Sequence, residues 1–397
     1  MGTQSKREYL DAIRNRYLGA GKKEKKVILD EFCSICGYNR KYAIRLLNRP
    51  VEVVKVMPKR RPGRPKKYHH PTILVVLKRL WTLLNLPCSK RLKAAIPLWL
   101  PYYENHYGTD LPDNIKRLLL SVSPATIDRL MAPLRSHYNK LGFATTKPGS
   151  ILKRHIPVTT NQWNETCPGF LEADTVAHCG SSVAGMFVYT VNVVDIATGW
   201  TEQRAVWGRG QRGVIGAIHS IEETLPFPIL GFDCDNGSEF LNWHLLKYFT
   251  HRKRPVKYTR SRPYYKNDNA HIEEKNWTIV RQYLGYNRFD EPQLADQLND
   301  LYTSQWRLFM NFFVPSSKLV AKQRSGSKTI KQYDQPKTPY QRVQESDHVP
   351  KNTKQELRVL FETLNPFLLQ EKLKEKVIMI LKQSQTPARQ QTPVASY

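Results

Sequence analysis

Three consecutive strand-like runs constrain the fold of this chain more than any other feature. The runs FLEADTV, MFVYTVNVVDI and WTEQRAVW, between residues 170 and 207, are rich in β-branched and aromatic residues. Short segments containing Gly or Ser separate them. This composition favours strands, and such short separations favour hairpins. The sequence therefore predicts three successive antiparallel strands.

Helices and one further strand follow these runs. Residues 211–225 have helical periodicity, PILGFDCD at 228–235 has the length and composition of a strand, and further helices are predicted near 239–249 and 267–285. Three antiparallel strands followed by alternating helix and strand is the order of a ribonuclease H-like domain. We predict an α/β core at 160–320, with a mixed five-stranded sheet and helices.

All-α regions are expected to precede this core. In residues 1–54, apolar residues at helical spacing lie on both sides of Gly37 and predict a helix-turn-helix. The second helix has Arg40, Lys41 and Arg45 on its polar side, where a helix in a major groove needs cations. A helical hairpin with a purely structural role is the alternative.

A basic linker is predicted at 55–70, where prolines and a glycine exclude regular structure. Its RPGRPKK centre resembles an AT-hook, which would place Arg61, Arg64 and Lys66 in a DNA minor groove. Pro62 interrupts the AT-hook pattern. A solvated basic linker without a DNA contact remains open.

The remaining segments are predicted from periodicity and composition. Residues 71–145 form a second helical region, either a DNA-binding module or a spacer, and 321–350 form a linker. Residues 351–397 form a C-terminal helical region with a polar, disordered tail.

Charge indicates the class of partner. The 397 residues include 62 Lys and Arg against 34 Asp and Glu, a formal net charge of +28. Such an excess makes nucleic acid the expected partner, although charge alone also allows a ribosomal or membrane-surface protein. The sequence has no apolar run long enough to cross a bilayer, and its six scattered cysteines do not form a disulfide framework. We expect a cytoplasmic protein, associated with the nucleoid when bound to DNA.

Three acidic residues stand where strand and helix ends would bring them into one cleft. They are Asp174 in the first strand, Asp235 after the fourth strand, and Glu273 near the start of a helix. Alternation along the strands alone does not exclude Glu172 or Asp233, which share faces with the two aspartates. Asp195 and Glu274 are further acids nearby, and a turn or structural role is predicted for Asp195.

The segment 165–290 resembles the catalytic core of the DDE-type integrases and insertion-sequence transposases. The shared pattern is an Asp in strand one, Asp-Asn-Gly after strand four, and Pro-Tyr followed by Asn-Gly-x-x-Glu-x-x-Asn on a helix. Matching residues of the helix motif are Pro263, Tyr264, Asn269, Glu273 and Asn276. Ala270 stands where the motif commonly has glycine.

This resemblance implies a catalytic triad of Asp174, Asp235 and Glu273 in a bacterial insertion-sequence transposase. It also implies recognition of element ends, DNA strand cleavage and strand transfer during integration and recombination, and a homodimer or higher multimer on DNA. Three convergent carboxylates are costly unless cations neutralise them, and oxygen ligands suit two Mg²⁺ or Mn²⁺ ions. No Gly-rich phosphate-binding loop is present, so we expect no nucleotide cofactor.

Basic and aromatic residues around the third acid are candidate DNA contacts. Arg260, Arg262 and Lys266 could hold phosphates, and Tyr264 could pack on a sugar or an unpaired base. Further candidates on or beside the same helix are Asn269, Lys275 and Asn276. An ordinary surface or capping role is the alternative for the helical residues.

Two other functions remain open at this point. A transposase-derived DNA-binding regulator without activity would be marked by a broken triad, whereas all three acids are present. A structure-selective nuclease of the same fold would cut DNA without joining ends.

Overall fold

The computed structural model describes residues 2–49, 67–135, 165–235, 237–260, 270–325 and 328–384. The chain divides into two compact units, residues 1–67 and 68–397. No helix in the described ranges is long and apolar enough to cross a membrane.

Within residues 2–49, the first unit forms three helices. They are α1 (Thr3–Gly19), α2 (Lys22–Cys36) and α3 (Arg40–Leu47). Phe32, Ala43 and Leu47 are fully buried at the centre of the unit. Helix α2 ends at Gly37, whose φ of 66° favours glycine, and the Asn39 side chain caps α3 by accepting the Lys41 N–H at 3.0 Å. The two helices predicted on either side of Gly37 are present, and α1 packs with them.

The second unit begins with four helices and continues into the sheet. The helices are α4 (Pro71–Leu83), α5 (Ser89–Tyr107), α6 (Asp113–Ser121) and α7 (Pro124–Arg135). The strands are β1 (Phe170–Ala177), β2 (Val188–Asp195), β3 (Thr201–Trp207), β4 (Gly231–Cys234) and β5 (Lys257–Arg260). Helix α8 (Gln211–Glu222) precedes β4, and α9 (Trp243–Thr250) precedes β5.

The sheet has the strand order β3-β2-β1-β4-β5. Strands β1, β2 and β3 are antiparallel neighbours, whereas β4 is parallel to β1 and β5 is parallel to β4. The predicted fold class, a ribonuclease H-like α/β core with a mixed five-stranded sheet, is confirmed. Because β1 is central, its residues lie beside both an antiparallel and a parallel strand.

Two long helical segments follow the sheet, and each contains a π-helical turn. The first comprises α10 (Ala270–Lys275), a π-turn (Asn276–Arg281) and α11 (Gln282–Leu284). The second comprises α12 (Pro292–Leu301), a π-turn (Tyr302–Trp306) and α13 (Arg307–Phe313). The π-turns shift the side-chain register along each segment, a feature that is frequent near functional sites.

The segment predicted as a linker at 321–350 is largely structured. The structure places there a hairpin of β6 (Leu319–Ser325) and β7 (Lys328–Tyr333), followed by α14 (Pro339–Glu345). The sequence did not predict this hairpin because apolar residues such as Val320 and Ile330 are exposed. Without a buried face, its strands do not need an alternating pattern of apolar and polar residues. Helix α14 begins at a capping box formed by Thr338 and Gln341.

The C-terminal helices are α15 (Lys351–Thr363) and α16 (Pro366–Ser384). Helix α16 packs against α5 and α13 through buried rings, and the ring centroids of Trp99 and Phe367 are 5.0 Å apart. The Trp99 indole also donates to the carbonyl of Phe313 at 3.2 Å. Helices α4–α7 therefore share one hydrophobic core with the sheet and the C-terminal helices. A DNA-binding role for residues 71–145 stays a prediction.

Candidate active site

Asp174 and Asp235 are neighbours at one edge of the β1–β4 pair. The parallel register pairs Glu172 with Asp233 and Ala173 with Cys234, so the next step along both strands brings Asp174 level with Asp235. Adjacent strands are about 4.8 Å apart. Both aspartates are half-buried. Two of the three predicted catalytic acids are therefore brought together by strand pairing.

Burial and mutual repulsion perturb both carboxyl groups. Burial, together with the nearby Asp235, raises the pKa of Asp174 to about 8. Burial raises the pKa of Asp235 to about 6, and the neighbouring Glu239 adds to this effect. Two buried carboxyl groups this close together are unfavourable when both are ionised. A bound cation would reduce the repulsion between their charges.

Hydrogen bonds fix Asp174 between its own strand and helix α10. Its Oδ1 accepts the N–H of Thr175 at 2.7 Å, and its Oδ2 accepts the side-chain amide of Asn276 at 2.6 Å. The Asn276 Oδ1 accepts in turn from Nδ2 of Asn192 on β2 at 2.8 Å. Oδ1 of Asn192 accepts from Gln203 on β3 at 2.8 Å. A continuous amide network therefore links three strands to the helix that carries Glu273.

Two competing acids have other partners. Glu172, 3% exposed, accepts the backbone N–H of Ile272 at 3.1 Å and so binds the first turn of α10. Asp233, 4% exposed, accepts the hydroxyl of Thr259 at 2.5 Å. Because both are more buried than Asp174 and Asp235, the structure favours the latter pair as the accessible carboxylates.

Asp195 has the structural role that its position predicted. Its buried carboxylate accepts the N–H of Gly169 at 2.8 Å, and the N–H and hydroxyl of Thr198 at 2.7 and 2.6 Å. The two bonds from Thr198 close the β2–β3 turn, and the bond from Gly169 joins this turn to the residue before β1. Burial raises the pKa of Asp195 to about 6 despite these three donors.

Glu273 lies on α10, three residues before Asn276, with its side chain exposed. Across the described ranges, no three Asp, Glu, His or Cys side chains are grouped so that they could hold a metal ion. The convergence of Glu273 with the two aspartates therefore stays a prediction.

Glu239, which was not predicted from the sequence, is a further carboxylate beside Asp174 and Asp235. It is 6% exposed, and its Oε1 accepts the hydroxyl of Thr175 at 3.0 Å. Its Oε2 is buried without a hydrogen-bond partner among the described residues. A buried carboxylate oxygen without a partner is unfavourable unless a cation compensates it. The charge of Glu239 helps to raise the pKa values of both Asp174 and Asp235.

Gly237 makes this arrangement possible. A Cβ at this position would lie 2.7 Å from Oε2 of Glu239 and 2.8 Å from Oδ1 of Asp235. The Gly237 N–H also donates to Oδ1 of Asp235 at 2.8 Å. The spacing Asp-x-Gly-x-Glu was the sequence signal for Glu239, since a tight turn after a strand brings the fifth residue back toward the first.

Arg209 is the second residue that the sequence analysis missed. It is exposed, between Gly208 and Gly210 in the loop after β3, and its charge acts to lower the pKa values of Asp235 and Tyr189. A cation next to a carboxylate pair is placed to meet a phosphate group. The signal was an arginine between two glycines at the end of a predicted strand.

The predicted DNA contacts differ widely in exposure. In the first unit Lys41 and Arg45 are exposed, whereas Arg40 forms an ion pair with Asp30. In the second unit Lys275 and Arg260 are each only 8% exposed. Burial lowers the pKa of Lys275 to about 8. Both ends of the Asn276 amide are bound within the protein, as described above. Seven candidates lie outside the described residues: Arg61, Arg64, Lys66, Arg262, Tyr264, Lys266 and Asn269.

Comparison with known proteins gives one relative along most of the chain. The chain is 39% identical over 339 residues to the uncharacterized protein y4rM of Sinorhizobium fredii (strain NBRC 101917 / NGR234). The match covers 84% of this chain and 94% of that protein. No family model matches the chain.

Two solved structures are similar in part. The HTLV-2 integrase catalytic core domain in complex with magnesium is 17% identical with a TM-score of 0.28, covering 38% of this chain and 92% of that chain. The catalytic core domain of BIV integrase is 17% identical with a TM-score of 0.27, covering 45% of this chain and 96% of that chain. The ribonuclease H-like fold of this chain follows from the order and pairing of its own strands.

Proposed function

For this chain, which belongs to the same family as the y4rM protein of Sinorhizobium fredii, we propose the function of a DDE-type transposase or integrase of an insertion sequence. Such an enzyme cuts DNA and joins the cut ends to a target. The proposed catalytic residues are Asp174, Asp235 and Glu273.

The observation that carries this proposal is the pairing of Asp174 with Asp235 at the edge of two parallel strands. Strand pairing fixes this proximity, and the pKa values of both carboxyl groups are raised. Raised carboxyl pKa values at an accessible edge are typical of functional sites. Glu273 is carried by the helix that binds Asp174 through Asn276.

Mg²⁺ or Mn²⁺ ions would be held by Asp174, Asp235 and Glu273, and when bound would neutralise charge and lower the pKa of an attacking water or hydroxyl. The chain's own groups do the positioning. Asn276 holds the orientation of Asp174, and the exposed guanidinium of Arg209 would bind a phosphate of the DNA beside Asp235.

Double-stranded DNA, from both the element ends and the target, is the proposed partner. The net charge of +28 supports a polyanion, and α3 presents Lys41 and Arg45 on its exposed side. Joining two ends requires two active sites near one another, which supports a homodimer or higher multimer on DNA.

A strand-transfer assay tests the proposal. Purified full chain is incubated with labelled DNA from the ends of its encoding element, a supercoiled target plasmid and Mg²⁺ or Mn²⁺. Asp235→Asn should bind the ends but yield no joined product. Asp296→Asn, which removes the same charge from the exposed face of α12, should retain wild-type yield.

The products distinguish the alternatives. Specific end binding without cleavage in either metal would contradict the enzymatic proposal and support the DNA-binding regulator. Cleavage without joining would support a structure-selective nuclease. Cleavage by Asp235→Asn would show that the assigned acids are wrong.

A further inference from the structure

A cavity of about 600 Å³ lies beside helix α10, and Glu273 is not among the residues that line it. Its walls come from the α4–α5 connection, from α10 and its π-turn, and from the hairpin strands β6 and β7. Lys275 lines it, and two residues of α-helix turn this side chain about 200° away from Glu273. The cavity is therefore distinct from the carboxylate site, although one helix contributes to both.

Lys275 is the feature that indicates a ligand. Lys275 is 8% exposed, and its ammonium forms no hydrogen bond or ion pair with the described part of the chain. The nearby Glu274 carboxylate is already bound by Arg91. Because Lys275 lines the cavity and its ammonium has no protein acceptor there, an anionic ligand in the cavity would supply one.

Two further cations near Lys275 already have partners within the protein. Lys318 donates to the carbonyls of Glu165 and Ala197, at 3.0 and 3.3 Å, and Arg342 pairs with Asp334 at 2.8 Å. The hydrogen-bonding groups of Lys318 and Arg342 are thus engaged elsewhere. The Glu274 charge attracts the Lys275 ammonium, whereas the Arg91 and Arg342 charges repel it.

The lining of the cavity has an excess of positive charge and an aromatic wall. Lys90, Arg91, Lys275 and Lys331 line it, against the single carboxylate of Glu274. Tyr283 and apolar side chains such as Ile279 form the rest of the wall. The volume is within the range of about 300–1,000 Å³ that small-molecule sites occupy. Cations around an anion and a flat ring as wall suit a phosphate joined to an aromatic base.

Backbone strain is concentrated at the rim. Asn85 and Leu86 lie next to each other with φ values of 58° and 61°, and both line the cavity. Left-handed backbone is unfavourable for a leucine, and it persists only where the surroundings impose it. The Asn85 side chain donates to the carbonyl of Gln282 at 3.2 Å, which holds the rim against the π-turn segment.

We propose that this cavity binds a phosphorylated nucleoside, with its phosphate on the Lys275 ammonium and its base against the Tyr283 wall. The ligand is either a free nucleotide or the terminal nucleotide of a DNA strand. The DNA-borne form rests on the proposed function, whereas the free form does not.

Calorimetric titration of the full chain with dAMP tests this site, in EDTA so that the carboxylate site contributes nothing. Lys275→Met should bind dAMP at least tenfold more weakly, and an unfolding temperature equal to or above wild type would show that it folds. Lys331→Gln, at the exposed rim, should weaken binding without affecting folding. Lys374→Met, on the exposed side of α16, is the matched control and should bind as wild type does.

Comparison of ligands identifies the chemistry and its source. Inorganic phosphate and deoxyadenosine should each bind more weakly than dAMP. Displacement of dAMP by a duplex with a single-stranded overhang would support the DNA-borne form, and its absence would support the free nucleotide. The proposal would be overturned if wild type did not bind dAMP. It would also be overturned if Lys275→Met and Lys331→Gln both bound dAMP as tightly as wild type does. Asp235→Asn should bind dAMP normally, so failure of strand transfer and failure of this site are separable.

Discussion

The side-chain amide of Asn276 donates to Oδ2 of Asp174 at 2.6 Å, joining the first residue of the π-turn to the central strand of the sheet. Because its Oδ1 accepts from Asn192, the Asn276 side chain has a fixed orientation. The bond therefore sets both the rotamer of Asp174 and the position of the helix that carries Glu273.

Asn276→Ala should reduce strand transfer with little effect on DNA binding. A hydrogen bond to a charged group contributes about 1.5–3 kcal/mol, which corresponds to roughly 10- to 150-fold in rate if it is lost in the transition state. Single-turnover rates and end-binding affinity measure the two effects. Asn352→Ala, on the exposed side of α15, is the control and should leave both unchanged. A loss of binding equal to the loss of rate would show that Asn276 contacts DNA instead.

Gly237→Ala should disturb the carboxylate site by steric overlap. The added Cβ would lie 2.6 Å from Cδ of Glu239 and 2.8 Å from Oδ1 of Asp235. Such overpacking costs about 1–3 kcal/mol, and the displaced carboxylates should bind Mn²⁺ more weakly. Thermal unfolding and Mn²⁺ titration followed by electron paramagnetic resonance provide the measurements.

Gly216→Ala is the matched control for this substitution. Gly216 lies in helix α8, and a Cβ there would meet nothing within 4 Å. Alanine should stabilise this helix by up to about 1 kcal/mol without changing Mn²⁺ affinity. If both alanine variants bind Mn²⁺ as wild type does, the turn at Gly237 does not determine the site.

Glu239→Gln should lower the pKa values of Asp174 and Asp235. The Glu239 charge contributes to raising both, and glutamine removes this charge while its amide oxygen can still accept the Thr175 hydroxyl. Carboxyl ¹³C resonances followed through a pH titration report the change. Glu223→Gln removes an exposed, distant charge and should leave both aspartates unaffected. If the pKa values of Asp174 and Asp235 were unchanged in Glu239→Gln, the Glu239 charge would not act on either aspartate.

Local sequence patterns were sufficient to predict the sheet and the proximity of Asp174 and Asp235. Strands β1 to β3 are continuous β-branched and aromatic runs, and their pairing with β4 follows from the order of elements, so Asp174 and Asp235 converge as expected. Their catalytic role, like that of Glu273, stays a prediction. Glu239 was missed because its approach to Asp235 depends on the backbone conformation of the turn at Gly237, which the order of residues alone does not fix.

The burial of Lys275 was not predicted from the sequence, for a second physical reason. Its position on a polar helix suggested an exposed DNA contact, but the structure buries its side chain. Bonds of Ile272 to Glu172 and of Asn276 to Asp174 fix the rotation of the helix over the sheet, and Lys275 lies between these two anchors. Periodicity alone does not determine that rotation, because four consecutive polar residues, 273–276, follow Ile272 and leave the buried one unmarked.

Acid should destabilise the second unit through His178. This ring is buried, stacks on Phe289 at 4.6 Å and bonds the Thr190 hydroxyl at 2.8 Å. Burial, with the nearby Arg281 charge, lowers the pKa of His178 from its usual 6.5 to about 3. The folded state therefore binds this proton less readily than the unfolded state. Its contribution to stability is fully present above pH 6.5 and is lost as the pH falls toward 3.

The slope of this loss approaches about 1.4 kcal/mol per pH unit for one proton. Urea unfolding of wild type between pH 7 and pH 4 should reveal it, after comparison with His178→Gln, which has no ring to protonate and should show a shallower slope over the same interval. His244→Gln is the control, since His244 is exposed on α9 and should leave the wild-type slope unchanged. Equal slopes for wild type and His178→Gln would show that the His178 proton is not what makes the fold sensitive to acid.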